Sequence, residues 1–226
     1  MQRQLERLNA RDHGDLRLSG LAGPAPHFVQ VVAAEFTTAA AVCPLFLTKS
    51  ADTGQFYAGA MFGFEPGENL LDETSRALFA PLDLERQGFF ATADDLVAID
   101  PGHPRFTGAS GGRLFEADGE PSQALRRVQQ AMARLRSGLA ETDAFIQALL
   151  ARGLIEPIDV DLSFDDGRTV SLNGLYTVSL DRLGELDEAA VVDLFRLGHL
   201  QLIYAMAGSL KQVSRLAARR NDQISA

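Results

Sequence analysis

Gly108-Ala109-Ser110-Gly111-Gly112 fits the Gly-x-Ser-x-Gly pattern of a serine nucleophile. Such a serine works on a sharp turn between a buried strand and a helix, with an acid and a histidine to activate it. His199 and several aspartates lie downstream, so the order Ser…Asp…His can be assembled. An acidic chain offers that order without any selection for it. His103-Pro104-Arg105-Phe106 precedes the stretch and a short extended run with a turn follows, a context that predicts a glycine-rich loop instead of a nucleophile elbow.

The remaining chemistry-bearing residues are dispersed. The four histidines, His13, His27, His103 and His199, form neither His-x-His nor His-x-x-x-His, so no local metal motif exists. Asp159-x-Asp161-x-Ser163-x-Asp165-Asp166-Gly167 looks at first like a calcium loop. Counted from Asp159, however, the glycine position holds Phe164 and the bidentate-glutamate position holds Val170, and the match fails. Cys43 before Pro44 reads as a buried, inert thiol. No Walker loop and no Gly-x-Gly-x-x-Gly occurs. If a ligand pocket exists, its polar groups are Glu35, Asp100, His103, Arg105, Asn173, His199 and Tyr204, with His103 and Arg105 the strongest pair. Each also has a structural reading as a hydrogen-bonder in a turn, cap or core. No catalytic set, metal or cofactor is called for.

Composition narrows the class. The chain has 226 residues, of which 46% are hydrophobic and 23% charged, which predicts one globular domain with a sizeable core. One cysteine excludes an internal disulfide framework. With 21 basic and 30 acidic residues the net charge is −9, against a nucleic-acid or anionic-membrane binder, both of which need a basic footprint. The longest apolar run is Ala39 to Leu47, far below the ~20 residues that a membrane-spanning helix needs. The N-terminal residues have charge without an apolar stretch after them, so no secretory signal is read, and the expected compartment is the cytoplasm.

The elements that must position these residues follow from periodicity. Residues 1–27 are polar and end in Gly23-Pro24-Ala25-Pro26, an N-terminal arm, with 28–226 as a single domain. Phe28–Val32, Leu45–Thr48 and Phe56–Phe64 read as strands, the last two as an antiparallel pair, and Ala33–Cys43 as one short helix stopped by Pro44. Phe89–Ala91, Leu96–Ile99 and a run closing at Phe115 are further short strands. A helix is expected over about 122–152, with Ser122 as N-cap and Gly153 after its end. Its apolar residues Leu125, Val128, Met132, Leu135, Leu139, Ile146 and Leu149, with Thr142 in the missing slot, step by three and four. That seam serves either the chain's own core or pairing with a second copy. A β-hairpin follows over about 158–173, where Ile158, Val160, Leu162 and Phe164 alternate with polar residues before Asp165-Asp166-Gly167. Leu175–Leu180 is extended, and C-terminal helices run from Asp187 to Arg196 and from Gln201 to Arg219, separated by Gly198. Strands and helices do not alternate strictly, so the expected class is α+β with mixed or antiparallel sheet elements.

Several stretches resemble the SapC family of bacteria. They are Val32-Ala33-Ala34-Glu35-Phe36 with Cys43-Pro44-Leu45-Phe46, then Ile99-Asp100-x-x-His103-Pro104-Arg105, then Gly112-Arg113-Leu114-Phe115-x-x-Asp118-Gly119-x-Pro121-Ser122. Asp166-Gly167-Arg168 with Leu172-x-Gly174-Leu175-Tyr176 continues the match, followed by Leu183-x-x-Leu186, Gly198-x-Leu200-x-Leu202-Ile203-Tyr204 and Ser209-Leu210. Cys43 stands where the family usually has an aromatic residue, and Gly108-Ala109-Ser110-Gly111 where it is often acidic. The resemblance implies an accessory role linked to surface-protein export or TonB-linked nutrient uptake, and it brings no catalytic residues. The permease label carried by some members disagrees with the hydropathy of this chain.

Together these readings lead to a non-catalytic cytoplasmic accessory protein with a protein or peptide partner, and a homo-oligomer through the 125–149 helix as one form of it. The alternative is a small-molecule sensor or enzyme with a pocket between the N-terminal sheet and the C-terminal helices. A serine hydrolase using Ser110 is the third.

Overall fold

A computed structural model describes residues 5–20, 26–94, 96–106 and 111–225. Its first third forms β1 (Glu6–Arg7), α1 (Ala10–His13), β2 (Arg17–Leu18), β3 (Phe28–Gln30), a 3-10 turn (Ala33–Glu35), α2 (Phe36–Ala40), β4 (Leu45–Lys49), β5 (Phe56–Met61) and α3 (Glu73–Leu78). The middle holds α4 (Leu82–Glu85), β6 (Phe89–Ala91), β7 (Val97–Ile99), β8 (Gly112–Arg113) and the long α5 (Gln123–Ala151). The last third forms β9 (Ile155–Pro157), β10 (Asp161–Ser163), β11 (Thr169–Ser171), β12 (Leu175–Val178), α6 (Leu180–Gly184), α7 (Glu188–Arg196), α8 (His199–Ser209) and α9 (Lys211–Ile224). All pairings among these strands are antiparallel, and the class is α+β as expected.

Contacts group the chain into two compact units, Met1–Pro24 with Leu82–Ser137 and Ala25–Pro81 with Gly138–Ala226. In the first unit β1, β7 and β6 form one small sheet and β2 pairs with β8. Its core gathers Phe89, Ile99, Phe106, Leu114, Leu125 and Val128. Removing apolar area of this kind from water stabilises by about 25 cal/mol per Å². The expected strand closing at Phe115 is shorter than read: β8 ends at Arg113 and Phe115 makes an isolated bridge to Pro121.

The second unit is built on a five-stranded sheet in the order β3-β5-β4-β12-β9. Its centre is the expected pair, with Leu45 opposite Ala60 and Lys49 opposite Phe56. The single helix read over Ala33–Cys43 is instead a 3-10 turn followed by α2. The Glu35 carboxylate accepts the Val32 N–H at 3.0 Å and closes that tighter turn. In the hairpin, Leu162 faces Val170 and Ser163 faces Thr169, while Phe164 is buried and the aspartates stay in water. The final helix also departs from its expected limits. It begins at His199, is interrupted at Leu210 and continues to Ile224.

The long helix starts and stops where its caps predict. Ser122 Oγ accepts the Leu125 N–H at 3.3 Å, and Gly153 takes φ +64° just past the end. The seam needs one correction. Leu125, Val128, Leu135, Thr142, Ile146 and Leu149 are buried within the chain, but Leu139 is 42% exposed. Gly138 takes the inward place because a Cβ there would come within 2.6 Å of Val32 Cγ2.

Candidate functional site

The seven residues marked for a pocket divide between the units. Asp100, His103 and Arg105 belong to the first, and Glu35, Asn173, His199 and Tyr204 to the second. Ser110 lies outside the described residues.

Asp100 and His103 share a turn in which the His103 N–H donates to the Asp100 carbonyl at 2.9 Å, and the Gly102 N–H to the Asp100 carboxylate at 3.1 Å. His103 Nδ1 accepts the Arg105 N–H at 3.3 Å, and its ring packs edge-on against Phe106. Arg105 is buried. Its guanidinium donates to the main-chain carbonyls of Glu85 (2.8 Å), Gln87 (3.0 Å) and Ser19 (3.3 Å). Burial lowers the pKa of Arg105, and Glu85 partly opposes that shift. Arg is charged at any ordinary pH, so this is a permanent cation that ties its own turn to the backbone at Ser19 and at Glu85–Gln87. Arg105 thus acts as a structural staple through its Nε and Nη1 donors.

In the second unit Glu35 is held by the Val32 N–H, and Asn173 is exposed in the Asn173-Gly174 turn, where Gly174 has φ +74°. Tyr204 is 59% exposed on α8. His199 is the one of the seven that is both buried and beside a groove. The groove measures about 440 Å³, and Ala34, Thr37, Glu141, Gln201 and Leu202 share its walls with His199. The His199 ring lies edge-on to Phe145 at 5.5 Å, and its Nδ1 is buried with no hydrogen-bond partner among the described residues. Burial, and then the positive charge of Arg152, lower its pKa and so favour the neutral imidazole.

Sequence reasoning missed the larger groove of the same unit, about 550 Å³, lined by Gln30, Gln55, Phe56, Tyr57, Leu139 and Asp143 among others. It also missed Arg220, a buried cation that bonds Glu65 at 2.9 Å, lies 3.6 Å from Glu68 and stacks over the Phe164 ring at 4.3 Å. Its signal was an arginine on the apolar side of the last helix, which snorkelling usually explains. Among the described residues, no three His, Cys, Asp or Glu side chains gather to hold a metal. No single described helix is long and apolar enough to cross a membrane; α7 with His199–Ile224 passes that test only as a pair bent by 90°.

An α+β protein with antiparallel sheets, a buried arginine staple and open grooves beside Phe56 and His199 is the class that fold and geometry define. The SapC family model matches residues 8–216, and the chain belongs to the SapC family. Neither a curated relative nor a solved structure matches it.

Proposed function

We propose that this SapC-family chain is a non-catalytic accessory protein of the cytoplasm that binds a protein or peptide partner, in surface-protein export or in TonB-linked nutrient uptake. The supporting observation is the apolar surface of α7 and α8. Val192, Phe195, Leu197 and Tyr204 are exposed by 44%, 71%, 60% and 59%. Val192 and Phe195 are three apart and share one face of α7. Large apolar side chains grouped in water mark interaction surfaces, and aromatic anchors dominate binding energy in such surfaces.

The test is a pull-down with the tagged chain from the cells that express it, washed at moderate and high salt, beside the Phe195→Asp variant. A stoichiometric partner on the wild type that disappears from Phe195→Asp is the expected result. Empty wild-type bait, or equal recovery on both, defeats the reading. A second reading, a small-molecule site, is favoured by His199 alone, whose buried Nδ1 lacks a partner among the described residues beside the smaller groove. A ligand that raises the melting temperature of the wild type and not of His199→Phe supports it.

A further inference from the structure

The larger groove lies where the five-stranded sheet loses a rung. In an antiparallel pair, alternate residues turn their main-chain groups toward the same neighbour. The Met61 N–H donates to the Pro44 carbonyl at 3.0 Å and the Ser50 N–H to the Gln55 carbonyl at 2.9 Å, so the odd-numbered residues 55 to 61 address β4. The Val31 N–H donates to the Ala58 carbonyl at 3.0 Å and the Phe62 N–H to the His27 carbonyl at 2.7 Å, so the even-numbered residues address the β3 side. Phe56 is even-numbered, and the group that should meet its carbonyl is the Ala33 N–H. That N–H donates instead to Thr142 Oγ1 at 2.8 Å, because the chain has turned into the 3-10 segment at Ala33–Glu35. The Phe56 N–H and C=O are therefore left facing the groove without a partner among the described residues.

The walls of the groove carry matching chemistry. Gln30, Gln55 and Tyr57 offer neutral polar groups, and Leu139 and Ile146 an apolar strip. Asp143 is the one charged group among the described lining residues. Lys49 lies over the Phe56 ring at 5.0 Å and is not a lining residue.

We propose that this groove takes an extended peptide segment of a partner protein, added as a short strand against the outer edge of β5 at Phe56, with a Lys or Arg side chain at Asp143. Strand addition supplies affinity through main-chain bonds, and side-chain pockets supply choice. The unpaired Phe56 backbone provides the bonds, and the lone carboxylate in a chain of net charge −9 selects for basic segments. The proposal rests on the reading of the chain as a binding protein and names a partner chemistry for it.

The probes are two capped, fluorescein-labelled hexapeptides, one alternating valine with lysine and one valine with serine, titrated into the full chain. Phe56→Pro removes the outward N–H and no bond to β4, whereas Phe56→Ala keeps that N–H and loses the ring. Expected results are binding of the lysine peptide to the wild type and to Phe56→Ala, and a loss of about tenfold or more in Phe56→Pro. Asp143→Asn should weaken the lysine peptide by about tenfold and leave the serine peptide unchanged. Equal binding by Phe56→Pro and Phe56→Ala, or no binding of either peptide, overturns the proposal. So does a wild-type dimer that Phe56→Pro dissolves, which would assign the edge to a second copy. Failure with both hexapeptides beside a pull-down partner sensitive to Phe195→Asp would remove the groove and leave the binding-protein reading standing. Hexapeptide binding beside an empty pull-down would keep the groove and remove the α7–α8 surface as the partner site.

Discussion

Ser209 Oγ accepts the N–H of Leu45 at 2.9 Å, joining α8 to the first residue of β4 across 164 positions of the chain. The same hydroxyl donates to the Met206 carbonyl at 2.6 Å, so donor and acceptor are both engaged, and Ser209 has no exposure to solvent. This gives a physical reason for the late Ser-Leu block that marks the family resemblance. An alanine would pack as well but leave a buried N–H without an acceptor.

Ser209→Ala should therefore destabilise the protein by about 1–3 kcal/mol, the usual cost of one orphaned buried donor. Urea unfolding followed by circular dichroism measures it. A midpoint equal to that of the wild type would mean that the Leu45 N–H finds another acceptor.

Gly138→Ala has an expected sign opposite to helix propensity. In a solvent-facing helix position this change gains about 1 kcal/mol. Here the new Cβ would come within 2.6 Å of Val32 Cγ2 and 2.8 Å of Val32 Cβ. Overpacking of that kind costs about 1–3 kcal/mol. Val32→Ala in the same chain should recover part of the loss, and a double-mutant cycle read by urea unfolding gives the coupling. Additive effects would show that Gly138 and Val32 do not compete for the same space.

These two contacts show which parts of the structure the sequence made legible. The α+β class, the antiparallel pairing of Leu45–Thr48 with the run from Phe56, the long helix with its Ser122 cap and the hairpin were all readable, because periodicity and turn residues are local signals. Strands β1, β2 and β8 were not readable, since two residues carry no period. The seam was drawn through Leu139 because leucine outranks glycine in any hydrophobic count, and only the approach of Val32 reveals why Gly138 turns inward. Arg105 stood out by residue type, but the carbonyls it meets, those of Ser19 and Glu85, lie 86 and 20 positions away in sequence. The groove at Phe56 had no sequence signal at all. It depends on Thr142 taking the Ala33 N–H from 109 positions away.

Cys43 yields a chemical prediction. Burial pushes its thiol pKa up to about 12, and Sγ donates to the Ala39 carbonyl at 3.2 Å. At about pH 8 an unfolded cysteine with pKa ~8.5 is partly thiolate, whereas the native one is so to only about one part in ten thousand. A disulfide reagent should leave the native chain unlabelled over the time in which it fully labels the chain in urea. Comparable rates in the two conditions would place Cys43 near the surface.

His199 makes stability depend on pH. Burial first, and Arg152 second, lower its pKa. Around it stand Arg152, which pairs with Asp193 at 3.2 Å, and Glu141 in the groove wall. In the unfolded chain the imidazole takes up a proton near pH ~6.5. Below that pH the unfolded state binds a proton that the folded state refuses, so ν of the unfolded state is larger and stability rises with pH. The contribution of His199 is complete above about pH 6.5, declines as the pH falls toward the lowered folded value, and is flat beneath it. Asp72 and Asp94 are also lowered, from 3.8, so their losses come at more acid pH. His199→Phe keeps an aromatic ring against Phe145 and removes the titration. Measured by urea unfolding from about pH 8 to about pH 5, the wild type should lose stability relative to His199→Phe as the pH drops through ~6.5. Parallel curves would mean that the folded imidazole accepts the proton as readily as the unfolded one, and that its burial is relieved when it does.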